Sequence, residues 1–104
     1  METEITVDEL KEKIGRKEDI IILDVREEDE LEYGKIQDSI LIPMHDVQNR
    51  LNEFNKDKEI ICYCRSGNRS GFIASFLRNN GFKAKNLLGG ILAWKKYDPS
   101  IIEY

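Results

Sequence analysis

The chain is poor in the residues that build specialised protein classes, with two cysteines, one histidine and two prolines among 104 residues. Cys62 and Cys64 are separated only by Tyr63, a spacing at which a disulfide is strained, so a disulfide-stapled scaffold is excluded. Two thiols and one unclustered histidine make a poor zinc set, and no metal is expected. No apolar run approaches the length of a membrane span. The start METEITVDELKEK lacks the basic opening and apolar middle of a secretory signal, so a cytoplasmic location without a membrane partner is expected. Positive charge is also not in excess. Sixteen Lys and Arg face twenty Asp and Glu, a formal net charge of -4. Such a chain repels nucleic acid overall, and any anion it recognises must be met by local positive charge.

What is present reads as one globular domain over residues 1–104, with 40% hydrophobic and 35% charged residues and no low-complexity tract. Thr6 followed by Glu9 forms a capping-box pattern. Val7, Leu10 and Ile14 then recur at helical spacing until Gly15. Asp19 to Val25, DIIILDV, has the continuous apolar character of a strand buried on both faces. The spacing next predicts a short helix over Glu27 to Tyr33 ended by Gly34, a strand over Ser39 to Pro43, and a helix over Asp46 to Phe54 showing Val47, Leu51 and Phe54 on one face. Lys58 to Cys64 reads as a strand and Ser70 to Asn80 as a helix with the stripe Phe72, Ile73, Phe76 and Leu77. Ala84 to Leu88 is a strand, Gly89-Gly90 a turn, and Ile91 to Tyr97 a helix stopped before Pro99. Strands alternating with helices at this spacing predict an α/β domain with a mainly parallel sheet and helices on both faces.

In such sheets the ligand site lies beyond the carboxyl ends of the strands, where Cys64 falls. The loop Arg65-Ser66-Gly67-Asn68-Arg69 contains a Gly and an Asn able to take φ > 0. Successive N–H groups can therefore curl into an anion-binding nest ahead of the helix that starts near Ser70. These donors, the helix dipole and the guanidinium groups of Arg65 and Arg69 would stabilise a Cys64 thiolate. An attack by that thiolate on a sulfane sulfur would leave a persulfide whose negative outer sulfur suits the same ring. The rival chemistry, phosphoryl transfer, needs an arginine six positions after the nucleophile to clamp phosphate. Here Ser70 stands at that position and the arginine is Arg69, which favours a ring sized for one sulfur atom. Cys62, inside the apolar part of its strand, reads as core.

With these residues in view, the chain resembles the rhodanese-like single-domain sulfurtransferases. Asp24-Val25-Arg26, Glu30 to Ile36 and Ile42-Pro43 are similar to the family's DVR, E-[FY]-x-x-G-H-I and I-P segments. Cys64 to Ser70 looks like its active loop in the six-residue form. Gly81-Phe82, Leu88-Gly89-Gly90-Ile91 and Ala93-Trp94 look like its C-terminal pattern, so the resemblance runs from about Ile20 to Trp94. It implies a five-stranded, mainly parallel sheet of order 1-5-4-2-3 and Cys64 as the persulfide carrier. The backbone of Arg65, Ser66, Gly67, Asn68, Arg69 and Ser70 would hold the persulfide, with no cofactor. The implied partners are a small anionic sulfur donor such as thiosulfate, a thiol or cyanide acceptor, and a thioredoxin- or glutathione-type reductant. A relay module that passes sulfur to one protein without turning over small donors is the alternative. Lys35, Leu31 and Asp38-Ser39 depart from the family's His, aromatic and Gly-Ala, all outside the cysteine loop.

Asp24 and Arg26 follow a buried strand and are read as supporting residues, Asp24 bonding loop backbone and Arg26 in an ion pair. His45 reads as surface, Trp94 as core, and the charge runs Glu27 to Glu32 and Asn55 to Glu59 as solvated edges.

Overall fold

Thr6 opens the first helix as its spacing predicts. In the computed structural model, which describes residues 2–104, its hydroxyl accepts the Glu9 N–H while the Glu9 carboxylate accepts the Thr6 N–H. Two of the orphan donors at the start of α1 (Val7–Gly15) are thereby satisfied. The remaining regular elements are β1 (Glu4–Ile5), β2 (Ile20–Asp24), β3 (Ile40–Leu41), β4 (Glu59–Tyr63), α2 (Asn68–Asn79), β5 (Lys83–Leu87) and α3 (Gly90–Trp94), with 3₁₀ turns over Glu28–Tyr33, Met44–Asn49 and Leu51–Glu53.

All strand pairs are parallel, and the sheet order is β1-β5-β4-β2-β3. The two-residue β1 carries too little pattern to be read from the sequence, where a first strand follows only from the family resemblance. It pairs Glu4 with Asn86 and Ile5 with Leu87.

The two-residue period of the strands sorts the core. Ile60 and Cys62 of β4 face one side with Leu23, Ile73, Ala74, Leu77 and Phe82. Ile61 and Tyr63 face the other with Leu10, Ile22, Leu87, Ile91 and Trp94. Helix α2 covers the first face, and α1 and α3 the second, so both faces of the central strands are buried and read as continuous apolar runs. By the same alternation Cys64, next after β4, points with Cys62 toward α2.

Four expectations are corrected. The segment Asp46 to Phe54 is not one helix. Arg50 leaves helical geometry at φ -127° and ψ 20°, and two 3₁₀ pieces flank it. Each closes with an i→i+3 bond, Arg50 N–H to Val47 O and Phe54 N–H to Leu51 O, so Val47 and Phe54 still reach the core. Helix α2 begins at Asn68 rather than Ser70, because Gly67 alone takes the left-handed conformation (φ 114°) and Asn68 is already helical. Within its stripe, Phe72 is 76% exposed, since it sits on the edge of α2 that the sheet does not cover. Helix α3 ends at Trp94, and the chain to Tyr97 continues in tighter turns.

Candidate active site

Strand β4 ends by delivering Cys64 beneath the start of α2. Gly67, in the left-handed region, turns the chain so tightly that its own N–H faces back on the sulfur at 3.2 Å. The N–H of Ser70 lies 3.4 Å from Sγ and its hydroxyl 3.3 Å. The six-residue spacing thus puts a serine hydroxyl, rather than a guanidinium, against the sulfur. Cys64 and Ser70 are both buried. Burial alone pushes the Cys64 thiol up. The Ser70 hydroxyl and the N–H groups of Ser70, Gly67 and Ser66 outweigh it and leave the thiol below its ordinary value. Cys62 has no such donors, and burial pushes it up to about 12. The two cysteines are therefore opposite in character: one inert in the core, the other poised to ionise.

Each arginine of the loop hydrogen-bonds a group other than the sulfur. Arg69 forms a two-point pair with Glu30, 2.8 Å on each arm, and Glu30 also accepts the Tyr104 hydroxyl at 2.9 Å. Arg65 donates its Nε–H to the Tyr104 carbonyl oxygen and lies over the Tyr104 ring. Both guanidinium groups thus face carboxylate or backbone oxygen, because a charged side chain next to a buried loop takes the nearest acceptor. The backbone and the Ser70 hydroxyl make the direct contacts to the sulfur. Glu30 is accordingly no solvated edge. The Arg69 guanidinium beside it holds its carboxyl down to about 2. Glu59 likewise pairs with Lys13 and Lys85.

Asp24 and Arg26 support this surface from below. They are fully buried and joined by a forked pair, Arg26 Nε and Nη2 on the Asp24 carboxylate, which also accepts the Arg26 N–H and the Tyr63 hydroxyl. The remaining guanidinium hydrogens reach the carbonyls of Glu30 and Gly34 and the Tyr104 hydroxyl. Every donor of a buried cation is thereby occupied, which is the condition for keeping it in a core. The pair lies a step back from Cys64 and shapes the segment that presents Glu30. His45 is exposed and Trp94 buried, as expected.

Sequence reasoning misses two residues against the loop. The start of α3 caps the far side of the cysteine, with Ile91 N–H on the Cys64 carbonyl at 2.9 Å and Leu92 N–H on that of Arg65 at 3.2 Å. Gly90, φ 59°, is what permits this approach. A Cβ there would stand 2.5 Å from the Arg65 carbonyl oxygen and 2.6 Å from that of Cys64. The Gly-Gly pair signals a turn in the sequence, but nothing there says what the turn touches. Asn86, on β5, is the second. Its Nδ2 donates to the Gly67 carbonyl at 3.0 Å, and its Oδ1 accepts the Ser70 hydroxyl at 2.6 Å. In β5 Lys83 and Lys85 alternate with Ala84 and Asn86, so an asparagine on the inward phase of the strand is the signal that could have found it.

The arrangement is a parallel α/β sheet with a cysteine cradled by N–H groups at the mouth of its central strand. The rhodanese-like domain family matches the chain over residues 6–97. A sulfurtransferase of Allochromatium vinosum is 35% identical over 98% of this chain and 96% of its own. The Bacillus subtilis protein named putative sulfurtransferase YtwF is 40% identical over 88% of this chain and 89% of its own. A rhodanese-like domain protein from Staphylococcus aureus superposes with a TM-score of 0.84 at 39% identity, covering 90% of this chain and 91% of that one. The chain belongs to the rhodanese-like domain family.

Proposed function

We propose that this domain, spanning residues 1–104, is a sulfurtransferase that carries sulfane sulfur as a Cys64 persulfide. The Cys64 thiolate attacks the outer sulfur of thiosulfate or of a persulfide. The donor S–S bond breaks with its electron pair leaving on sulfite or on the donor thiolate, and the outer sulfur stays on Cys64. A thiophilic acceptor, cyanide or a thiol such as that of a glutathione- or thioredoxin-type reductant, then attacks that sulfur and returns Cys64 as thiolate. No net oxidation occurs, so no cofactor is required. The observation that carries the reading is the set of three donors, Gly67 N–H, Ser70 N–H and Ser70 Oγ–H, converging on one buried sulfur at the N-terminus of α2. A cytoplasmic setting, where thiols stay reduced, suits this chemistry.

A second reading, relay between proteins without turnover of small donors, is favoured by one observation: Arg65 and Arg69 are both already engaged, with Tyr104 and Glu30. A small dianion then finds no uncommitted guanidinium within the loop.

Thiocyanate formation from thiosulfate and cyanide tests the first reading, with intact mass reporting a sulfur adduct on Cys64. The wild-type protein is expected to turn over and to gain one sulfur, and Cys64→Ser to do neither. Activity retained in Cys64→Ser overturns the assignment. A sulfur adduct acquired from a persulfidated protein but not from thiosulfate selects the relay.

A further inference from the structure

The Ser70 hydroxyl has one proton and two acceptors. Cys64 Sγ lies 3.3 Å away and Asn86 Oδ1 2.6 Å away. The asparagine cannot give way by turning its amide over, because its Nδ2 is committed to the Gly67 carbonyl at 3.0 Å and a flip would set two carbonyl oxygens face to face. Gly67 and Gly71 leave room for this side chain under α2. A Cβ on Gly71 would already meet Nδ2 at 3.4 Å. Asn86 is 8% exposed, so water offers little substitute for either bond.

We infer that Asn86 is a positioning residue that holds the Ser70 hydroxyl as a two-position donor, turned to Asn86 when Cys64 is neutral and to Sγ when Cys64 is ionised. In the thiol form the Ser70 proton satisfies Oδ1, and the Cys64 S–H can donate to Ser70 Oγ. Ionisation draws the hydroxyl to the sulfur, since a charge-assisted bond is the stronger, and strips Oδ1 of its buried donor. Asn86 therefore opposes the thiolate. It keeps the thiol from being stabilised so far that its nucleophilicity falls. Once sulfur is loaded, the charge moves to the outer atom, Sγ becomes a neutral disulfide-type sulfur, and the hydroxyl returns to Asn86. The one side chain thus senses the charge on Cys64 and anchors Gly67, whose N–H is a donor to that charge.

The consequence for turnover rests on Cys64 being the sulfur carrier, but the proton contest does not. The test therefore reads ionisation directly, as the pH dependence of Cys64 alkylation by iodoacetamide followed by peptide mass. Four proteins are compared: wild type, Ser70→Ala, Asn86→Leu and the double variant. The charged and titratable neighbours are Arg69 from α2, paired with Glu30, Arg65 from the loop, paired with Tyr104, and the Cys62 thiol on β4. They are common to all four proteins and cancel in the cycle. Ser70→Ala is expected to lower the alkylation rate at a fixed pH below the titration midpoint by roughly tenfold. Asn86→Leu is expected to raise it, relative to the same change in the Ser70→Ala protein, by roughly three- to tenfold, because the hydroxyl is then uncontested. An equal effect of Asn86→Leu in both backgrounds, or a fall relative to the Ser70→Ala background, overturns the inference, since anchoring of Gly67 alone acts without the hydroxyl. If Asn86→Leu does not fold, Asn86→Ala closes the same cycle with the same criterion. Thiosulfate turnover measured in parallel separates the two readings: the alkylation cycle stands or falls whether or not sulfur is moved.

Discussion

At Cys64 the balance between burial and hydrogen bonding decides what the sulfur can do. The same apolar strand that pushes Cys62 up to about 12 delivers Cys64 two residues later to a ring of donors, and the net shift reverses. Burial of an anion is tolerated only where preorganised dipoles replace water, which the Gly67 turn and the first turn of α2 provide. Gly90 is the less obvious member of this arrangement, for it touches no sulfur yet lets α3 bond the carbonyls of Cys64 and Arg65. Gly90→Ala combines a left-handed backbone at φ 59° with a Cβ driven into two carbonyl oxygens. It is expected to destabilise the fold by about 2 kcal/mol or more and to slow Cys64 alkylation as the loop shifts. Urea unfolding and alkylation kinetics check both, and an unchanged midpoint with unchanged alkylation rates would show that the loop does not depend on this contact.

Among the elements, α1 and α2 start in contrasting ways. Helix α1 is capped by its own Thr6–Glu9 box, far from the cysteine, whereas the N-cap of α2 is Gly67 with no side chain to satisfy its donors. The N–H groups of Gly67 and Ser70 are instead turned on Cys64, so the start of this helix bonds the sulfur rather than a cap of its own. Thr6→Ala is therefore expected to cost about 1 kcal/mol of stability and to leave the Cys64 alkylation rate within error of wild type. Chemical denaturation beside alkylation distinguishes this from a cap that also tunes the site. The capping box and the buried run of β2 are legible in the sequence because each is a local pattern. The helix expected over Asp46 to Phe54 fails for the complementary reason: Val47, Leu51 and Phe54 fit a helical face, but the chain must also turn at Arg50 to bring β4 beside β2, and periodicity alone does not carry that demand.

Over the whole molecule, one polar network ties three distant segments together. Arg26 and Asp24 at the end of β2, Glu30 in the 3₁₀ turn, Tyr104 far along the chain and Arg69 on α2 are joined by hydrogen bonds of 2.8 to 3.2 Å. Glu30 titrates at about 2 against an ordinary value of 4.5, chiefly because Arg69 bonds it. A folded-state value below the unfolded one means that its contribution is fully present above about pH 4.5 and is lost as pH falls toward about 2. That contribution is on the order of 1–2 kcal/mol, since Arg69 is about a third exposed and solvent screens the pair. Glu30→Gln is expected to lose it at neutral pH and to flatten the fall in stability between pH 4.5 and 2, as read from urea midpoints across that window. A wild-type slope in the variant would place the acid sensitivity elsewhere.

By itself the sequence determined the alternation of strands and helices, the cap of α1, the inertness of Cys62 and the position of Cys64 at a strand end before a glycine-bearing loop. These depend on residue type and short-range spacing, which the chain carries locally. Only the tertiary structure decided the partners of that loop. The two arginines beside Cys64 read as its electrostatic support, and their hydrogen bonds go to Glu30 and Tyr104. Asn86 and Gly90, remote in sequence, hold the backbone and the Ser70 hydroxyl instead. The physical reason is that hydrogen bonds form with whatever acceptor the packed sheet brings within about 3 Å. Parallel strands joined by long crossovers bring together residues that no local pattern links.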